Sequence, residues 1–188
     1  EVLTRYYRMV AEELESLRGR AYNFAGDAVV GGFGLQHTHD DDALRAVRAG
    51  LGLVDRVGRL GEDIGLPVPL RIRVGIHTGP VAIGTEASEQ GLLYGATVNM
   101  AARLQQAADP GTVLVSETSY LLSLSQVQYG PMREVEAKGF EDEARAWPVA
   151  ALQPGSGRRT IPFVNRKREL RLLQDSFDGA RETRRGHL

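Results

Sequence analysis

Cysteine is absent from all 188 residues, which excludes disulfides, thiolate metal sites and a cysteine nucleophile. Aromatic residues make up only 6% of the chain, with one tryptophan, so strands rich in aromatics for stacking bases are missing. Charge of either sign is not in excess: 23 Lys and Arg against 24 Asp and Glu leave a net charge of -1. That removes the overall electrostatic case for nucleic acid or an acidic membrane. No apolar run approaches the roughly 20 residues of a membrane span, and the first residues do not form a signal peptide. These absences predict a soluble, cytoplasmic chain that engages neither nucleic acid nor membrane. Histidine is equally sparse, with four in the chain. His37 and His39 form only an H-x-H in a polar loop, and His77 belongs to a strand-turn segment, so no histidine metal site is expected.

Hydrophobic content of 42% and charged content of 25% are ordinary for a globular domain. The length suits one domain plus an extension, and a domain of about 150 residues buries roughly 68–70% of its unfolded surface. Glu1 opens inside a helical pattern and His187-Leu188 ends without a stop signal, which predicts a piece of a longer protein. Val2, Leu3, Tyr6, Met9, Val10, Leu14 and Leu17 recur at helical spacing over about residues 1–18. Ala21–Ala25 and Ala28–Phe33 are short apolar runs separated by Gly26-Asp27, the pattern of a hairpin with a two-residue turn. Asp40-Asp41-Asp42 supplies an N-cap and acidic first turn for a helix whose stripe is Leu44, Val47, Leu51, Val54, Val57 and Leu60.

Leu70–Ile76 alternates as a strand, and Val81–Gly84 is expected to pair with it across Gly79-Pro80. Thr97–Ala108 reads as a helix stopped by Asp109-Pro110-Gly111, followed by a strand at Thr112–Val115 and a short helix capped by Ser116. Val127–Val135 and Ala144–Leu152 read as a last hairpin through Lys138-Gly139. The order predicts an α+β fold: an antiparallel-rich sheet with helices on one face.

Three separated motifs carry more than fold information. They are Phe24-Ala25-Gly26-Asp27-Ala28-Val29-Val30, Arg71-Ile72-Arg73-Val74-Gly75-Ile76-His77-Thr78-Gly79-Pro80, and Gly95-Ala96-Thr97-Val98-Asn99-Met100-Ala101-Ala102-Arg103-Leu104. In this order and spacing, residues 1–152 resemble the catalytic domain of class III adenylate/guanylate cyclases, lacking the first strand of that ferredoxin-like fold. The resemblance implies conversion of ATP, with GTP the alternative, to 3′,5′-cyclic nucleotide and pyrophosphate at a homodimer interface. It also implies two divalent ions, Mg²⁺ or Mn²⁺. Asp27 takes the place of one metal carboxylate, a hard ligand suited to these ions; its partner would lie on a strand upstream of residue 1.

Asn99 and Arg103 lie four apart and share a helix face. The resemblance gives them the ribose and the charge growing on the α-phosphate, a role suited to a fixed guanidinium fork. Arg73 and Lys138 match positions that grip the outer phosphates. Asn23 and Leu92 stand where adenylate-selective members have Lys and Asp. Asn23 can still donate and accept hydrogen bonds to a purine edge, whereas Leu92 cannot. A catalytically degenerate nucleotide-binding or dimerising module is the rival expectation.

Residues 153–160 are linker by composition, with Pro154-Gly155-Ser156-Gly157 at their centre. Beyond them, Ile161-Pro162-Phe163-Val164-Asn165-Arg166-Lys167-Arg168-Glu169-Leu170 opens a basic amphipathic helix. Residues 161–188 resemble the entry into AAA-type NTPase domains, with Asn165 where that pattern has Gly. No G-x-x-x-x-G-K-[ST] phosphate loop occurs in the chain.

Overall fold

Tyrosine, methionine, valine and leucine at helical spacing wind Val2–Ser16 into α1, which buries Met9, Val10 and Leu14. A computed structural model of the chain describes residues 2–84, 92–135 and 144–153. The chain divides into two compact units, Glu1–Pro154 and Gly155–Leu188. Most of the expected linker, the segment 161–188 and Lys138 lie outside the described residues.

After α1, β1 (Arg20–Ala25) and β2 (Ala28–Gly32) form the expected antiparallel hairpin, with Ala25 opposite Ala28. Gly26 has φ +63°, a left-handed backbone that glycine adopts at no steric cost. The helix α2 (Asp42–Asp63) follows; Asp41 takes the N-cap position but makes no side-chain cap bond, leaving Asp42 as the acidic first-turn residue. Val10 and Leu14 of α1, Ala21 of β1, and Ala49 and Leu53 of α2 share one buried cluster, which joins the hairpin to the rest of the fold.

The remaining elements are β3 (Arg73–Ile76), β4 (Ala82–Ile83), β5 (Leu93–Tyr94), α3 (Ala96–Ala107), β6 (Thr112–Ser116), α4 (Glu117–Ser123), β7 (Val127–Tyr129), β8 (Arg133–Val135) and β9 (Ala144–Leu152). The main sheet runs β3-β6-β9-β7, with β8 also on β9. Its one parallel pair is β3 with β6, and α3 is the crossover that such a pair requires.

Two strand expectations are corrected. Val81–Gly84 does not pair with the preceding strand: β4 pairs antiparallel with β5 instead. Alternation in Leu70–Ile76 shows which side chains share a face, but the apolar run of β6 supplies the neighbour. The strand expected over Val127–Val135 is broken at Gly130-Pro131 into β7 and β8, both paired with β9; proline has no N–H to give a ladder.

Within β6, Val113 and Val115 pack with Leu44, Val47, Ile76 and Val127. The intervening Leu114 packs with Met100, Leu104 and Ala108. Side chains alternate across a strand, so α2 and α3 cover opposite faces of the sheet, where the sequence order predicts helices on one face. Tyr120 of α4 joins the α2 side, stacked on Trp147 at 4.4 Å and 11°.

Candidate active site

Asp27 sits in the tight turn between β1 and β2 and is exposed. Tyr7 of α1 holds this tip. The Tyr7 hydroxyl donates to the Gly26 carbonyl, and its ring meets Phe24 edge-on at 4.9 Å. Burial, and secondarily the Asp27 charge, raise the Tyr6 phenol above its ordinary pKa of 10.0. The phenol stays protonated at neutral pH. Tyr7 lies outside the apolar stripe of α1 and nothing in the local turn signal points to it, which is why its clamp is visible only in three dimensions.

Asn99 and Arg103 both fall within α3, Asn99 exposed and Arg103 half-buried. The buried residues Thr97, Met100 and Leu104 define the core face of that helix. At about 100° per residue, Asn99 lies on the side away from that face, and Arg103 flanks it, half-buried with its Nη1 out of solvent. Arg73 is exposed at the start of β3, on the same strand face as Gly75 and hence on the α3 side of the sheet. Arg73 and the α3 residues Asn99 and Arg103 thus lie on the same side of the sheet.

The two positions that the resemblance assigns to the base lie on separate elements. Asn23 takes its place in β1 opposite Val30, beside a register shift between Ala21 and Asn23. Leu92 is half-buried ahead of β5, and its carbonyl accepts the Gly84 amide at 2.8 Å. Lys138 lies outside the described residues. His77 donates or accepts at 2.8 Å with Ser116 through Nδ1, which makes it part of the structural frame. Among the described residues, no group of three or more His, Cys, Asp or Glu side chains is placed to hold an ion by itself.

A sequence profile described as the adenylate and guanylate cyclase catalytic domain matches residues 2–150. The chain belongs to this family. Adenylate cyclase 1 of Rhizobium meliloti strain 1021 is 30% identical over 146 residues, covering 73% of this chain and 22% of that protein. The crystal structure of the adenylyl cyclase CyaB from P. aeruginosa superposes with a TM-score of 0.75 at 26% identity, covering 83% of this chain and 84% of that one. The guanylyl cyclase Cya2 gives 0.74 at 29% identity, with 83% and 82% covered. The α+β architecture is therefore that of cyclase catalytic domains, and the chain is a nucleotidyl cyclase catalytic domain. It spans about a fifth of the length of the curated relatives it matches. Among the described residues, no helix is long and apolar enough to cross a membrane.

Proposed function

We propose that this cyclase domain converts ATP to 3′,5′-cyclic AMP and pyrophosphate, at a site completed by a second copy of the chain. The observation that carries the reading is an exposed Asp27 at a clamped hairpin tip together with Asn99 and Arg103 four apart on α3, Asn99 exposed and Arg103 half-buried. A C2 homodimer would bring the Asp27 of one protomer to the α3 face of the other and build two equivalent sites.

In the reaction the ribose 3′-oxygen forms a bond to the α-phosphorus while the bond to the pyrophosphate oxygen breaks. The hydroxyl proton passes to water, and pyrophosphate leaves with the electron pair of the broken P–O bond. Asn99 orients the ribose by hydrogen bonding, and Arg103 donates its guanidinium fork to the charge that grows on the α-phosphate. Arg73 and Lys138 hold the β- and γ-phosphates. Asp27, an exposed carboxylate, would hold Mg²⁺ or Mn²⁺. When bound, two such ions supply Lewis acidity, lowering the pKa of the 3′-hydroxyl and neutralising the leaving phosphates.

Asn23 and Leu92 line the base pocket in this reading. Leu92 offers no side-chain hydrogen bond, so a purine edge meets one polar partner fewer, and discrimination between ATP and GTP weakens. The same residue supports a second reading, a domain that binds nucleotide or dimerises without turnover. The sequence pattern also supports a wider proposal: residues 153–160 link the domain to the start of an AAA/NTPase-like module at 161–188, in a multidomain cytoplasmic regulator.

The protein at its natural length, incubated with ATP or GTP and Mn²⁺, tests this directly. We expect cyclic product, and its loss by at least about 100-fold in Asp27→Ala and in Arg103→Ala with folding intact. Undiminished product in either variant refutes the assignment. A wild-type protein that binds nucleotide but yields no product establishes the second reading.

A further inference from the structure

The segment Gly75-Ile76-His77-Thr78-Gly79-Pro80 contributes no group to the proposed chemistry, yet it is in contact with α3 at two places. The first is Gly75. A Cβ added there would lie 2.2 Å from the Ala101 carbonyl oxygen and 2.2 Å from the Gln105 amide nitrogen. Strand backbone therefore rests on helix backbone, and only glycine permits that approach. The second is Thr97, buried in the first turn of α3, whose hydroxyl donates to the Pro80 carbonyl at 2.5 Å.

These contacts fix different freedoms of the helix. Ala101 and Gln105 are one turn apart, and each lies about 200° around the axis from Asn99 and Arg103 respectively. Depth on that face therefore sets how far the Asn99–Arg103 stripe projects on the other. Thr97 ties down the leading turn, so rotation and sliding are opposed at that end.

The turn that receives Thr97 is itself fastened. His77 bonds Ser116 at 2.8 Å and Thr78 bonds Ser119 at 2.8 Å. Ser116 Oγ also accepts the Ser119 amide at 3.5 Å as the cap of α4. A continuous polar connection thus runs from the β6–α4 junction through residues 77–80 to the start of α3.

We propose that Thr97 and Gly75 are positioning residues, which seat α3 on β3 so that Asn99 and Arg103 are held at one depth and one rotation toward the nucleotide. The inference rests on the cyclase reading given above. Thr97 acts through its hydroxyl, so Thr97→Val, which keeps the shape, loses the seat, and Thr97→Ser, which keeps the hydroxyl, retains it. Because misplacement by about an ångström can cost a large rate factor, we expect kcat of Thr97→Val to fall by about tenfold or more with KM within about twofold. Thr97→Ser should keep near wild-type kcat.

The experiment measures kcat and KM for cyclic product in the natural-length protein, together with amide hydrogen exchange over residues 96–104. Thr97→Val should exchange faster in the first turn of α3. Wild-type kcat in Thr97→Val, equal impairment of Thr97→Ser and Thr97→Val, or unchanged exchange overturns the proposal. If the wild type makes no cyclic product at all, the cyclase reading fails separately, and the exchange comparison alone decides the seat. Gly75→Ala probes the first contact; should it not fold, the two Thr97 variants still give the answer.

Discussion

His77 makes a specific prediction about acid stability. Its imidazole is half-buried, and burial pushes its pKa down from the ordinary value of 6.5. The sign follows from proton counting. Above 6.5 the ring is neutral in both folded and unfolded chains, and the contribution is fully present. As pH falls below 6.5 the unfolded chain takes up a proton that the folded ring refuses, so stability is lost until the folded pKa is passed. One proton sets the steepest possible slope, about 1.4 kcal/mol per pH unit. For a domain of this size that corresponds to roughly 2–4 °C in Tm per kcal/mol. His77→Gln retains a hydrogen-bonding group toward Ser116, whose bond at 2.8 Å is worth about 1 kcal/mol, and it removes the titration. Thermal unfolding of both proteins from pH 7.5 to 5 at constant ionic strength is the assay. The wild type should be the more stable at pH 7.5, and its advantage should shrink below pH 6.5. A difference in Tm that stays constant with pH would refute the reasoning, because it would mean the folded ring titrates as it does in the unfolded chain.

Two further outcomes concern the frame. Leu104 is fully buried beneath α3 among Met100, Ala108 and Leu114, so Leu104→Ala should cost about 3–4 kcal/mol by urea denaturation. Arg45, 6% exposed, bonds Asp41 at 3.1 Å, Asp42, and the Leu17 carbonyl at 2.9 Å, tying the end of α1 to the start of α2. Arg45→Met should cost about 3 kcal/mol or more by the same measurement, since it strands a half-buried carboxylate and a carbonyl; Arg45→Lys should recover little, because an ammonium cannot reproduce the fork.

Local rules carried much of this fold in the sequence. Gly26-Asp27 between two apolar runs was legible as a turn because the backbone there demands a left-handed residue. Ser116 was legible as a helix cap because its chemistry acts three residues away. Asn99 and Arg103 were legible as a shared face from helical periodicity alone. What stayed hidden depends on partners distant in sequence. Alternation in Leu70–Ile76 gives the faces of β3 but not its neighbour, and so β4 was assigned to the wrong strand. The bond between His77 and Ser116 spans 39 residues, and no pattern around either residue announces it. Tyr7 carries the same lesson at the hairpin, since its place in α1 says nothing of the Gly26 carbonyl.

The two halves of the proposed site are consequently held by different physics. Asp27 rides on a two-stranded hairpin, a unit that is marginal alone and owes its place to the core shared with α1 and α2 and to the tyrosine clamp at its tip. Asn99 and Arg103 ride on a helix pressed against strand backbone at Gly75 and bonded at Thr97. The first attachment is apolar and tolerant: Val10, Leu14 and Ala21 can be exchanged for residues of similar volume at modest cost. The second leaves no such latitude, because no side chain fits at Gly75 and only a hydroxyl reaches Pro80. The motif around Gly75 is therefore restrictive for steric reasons, even though none of its residues from 75 to 80 has to touch the nucleotide.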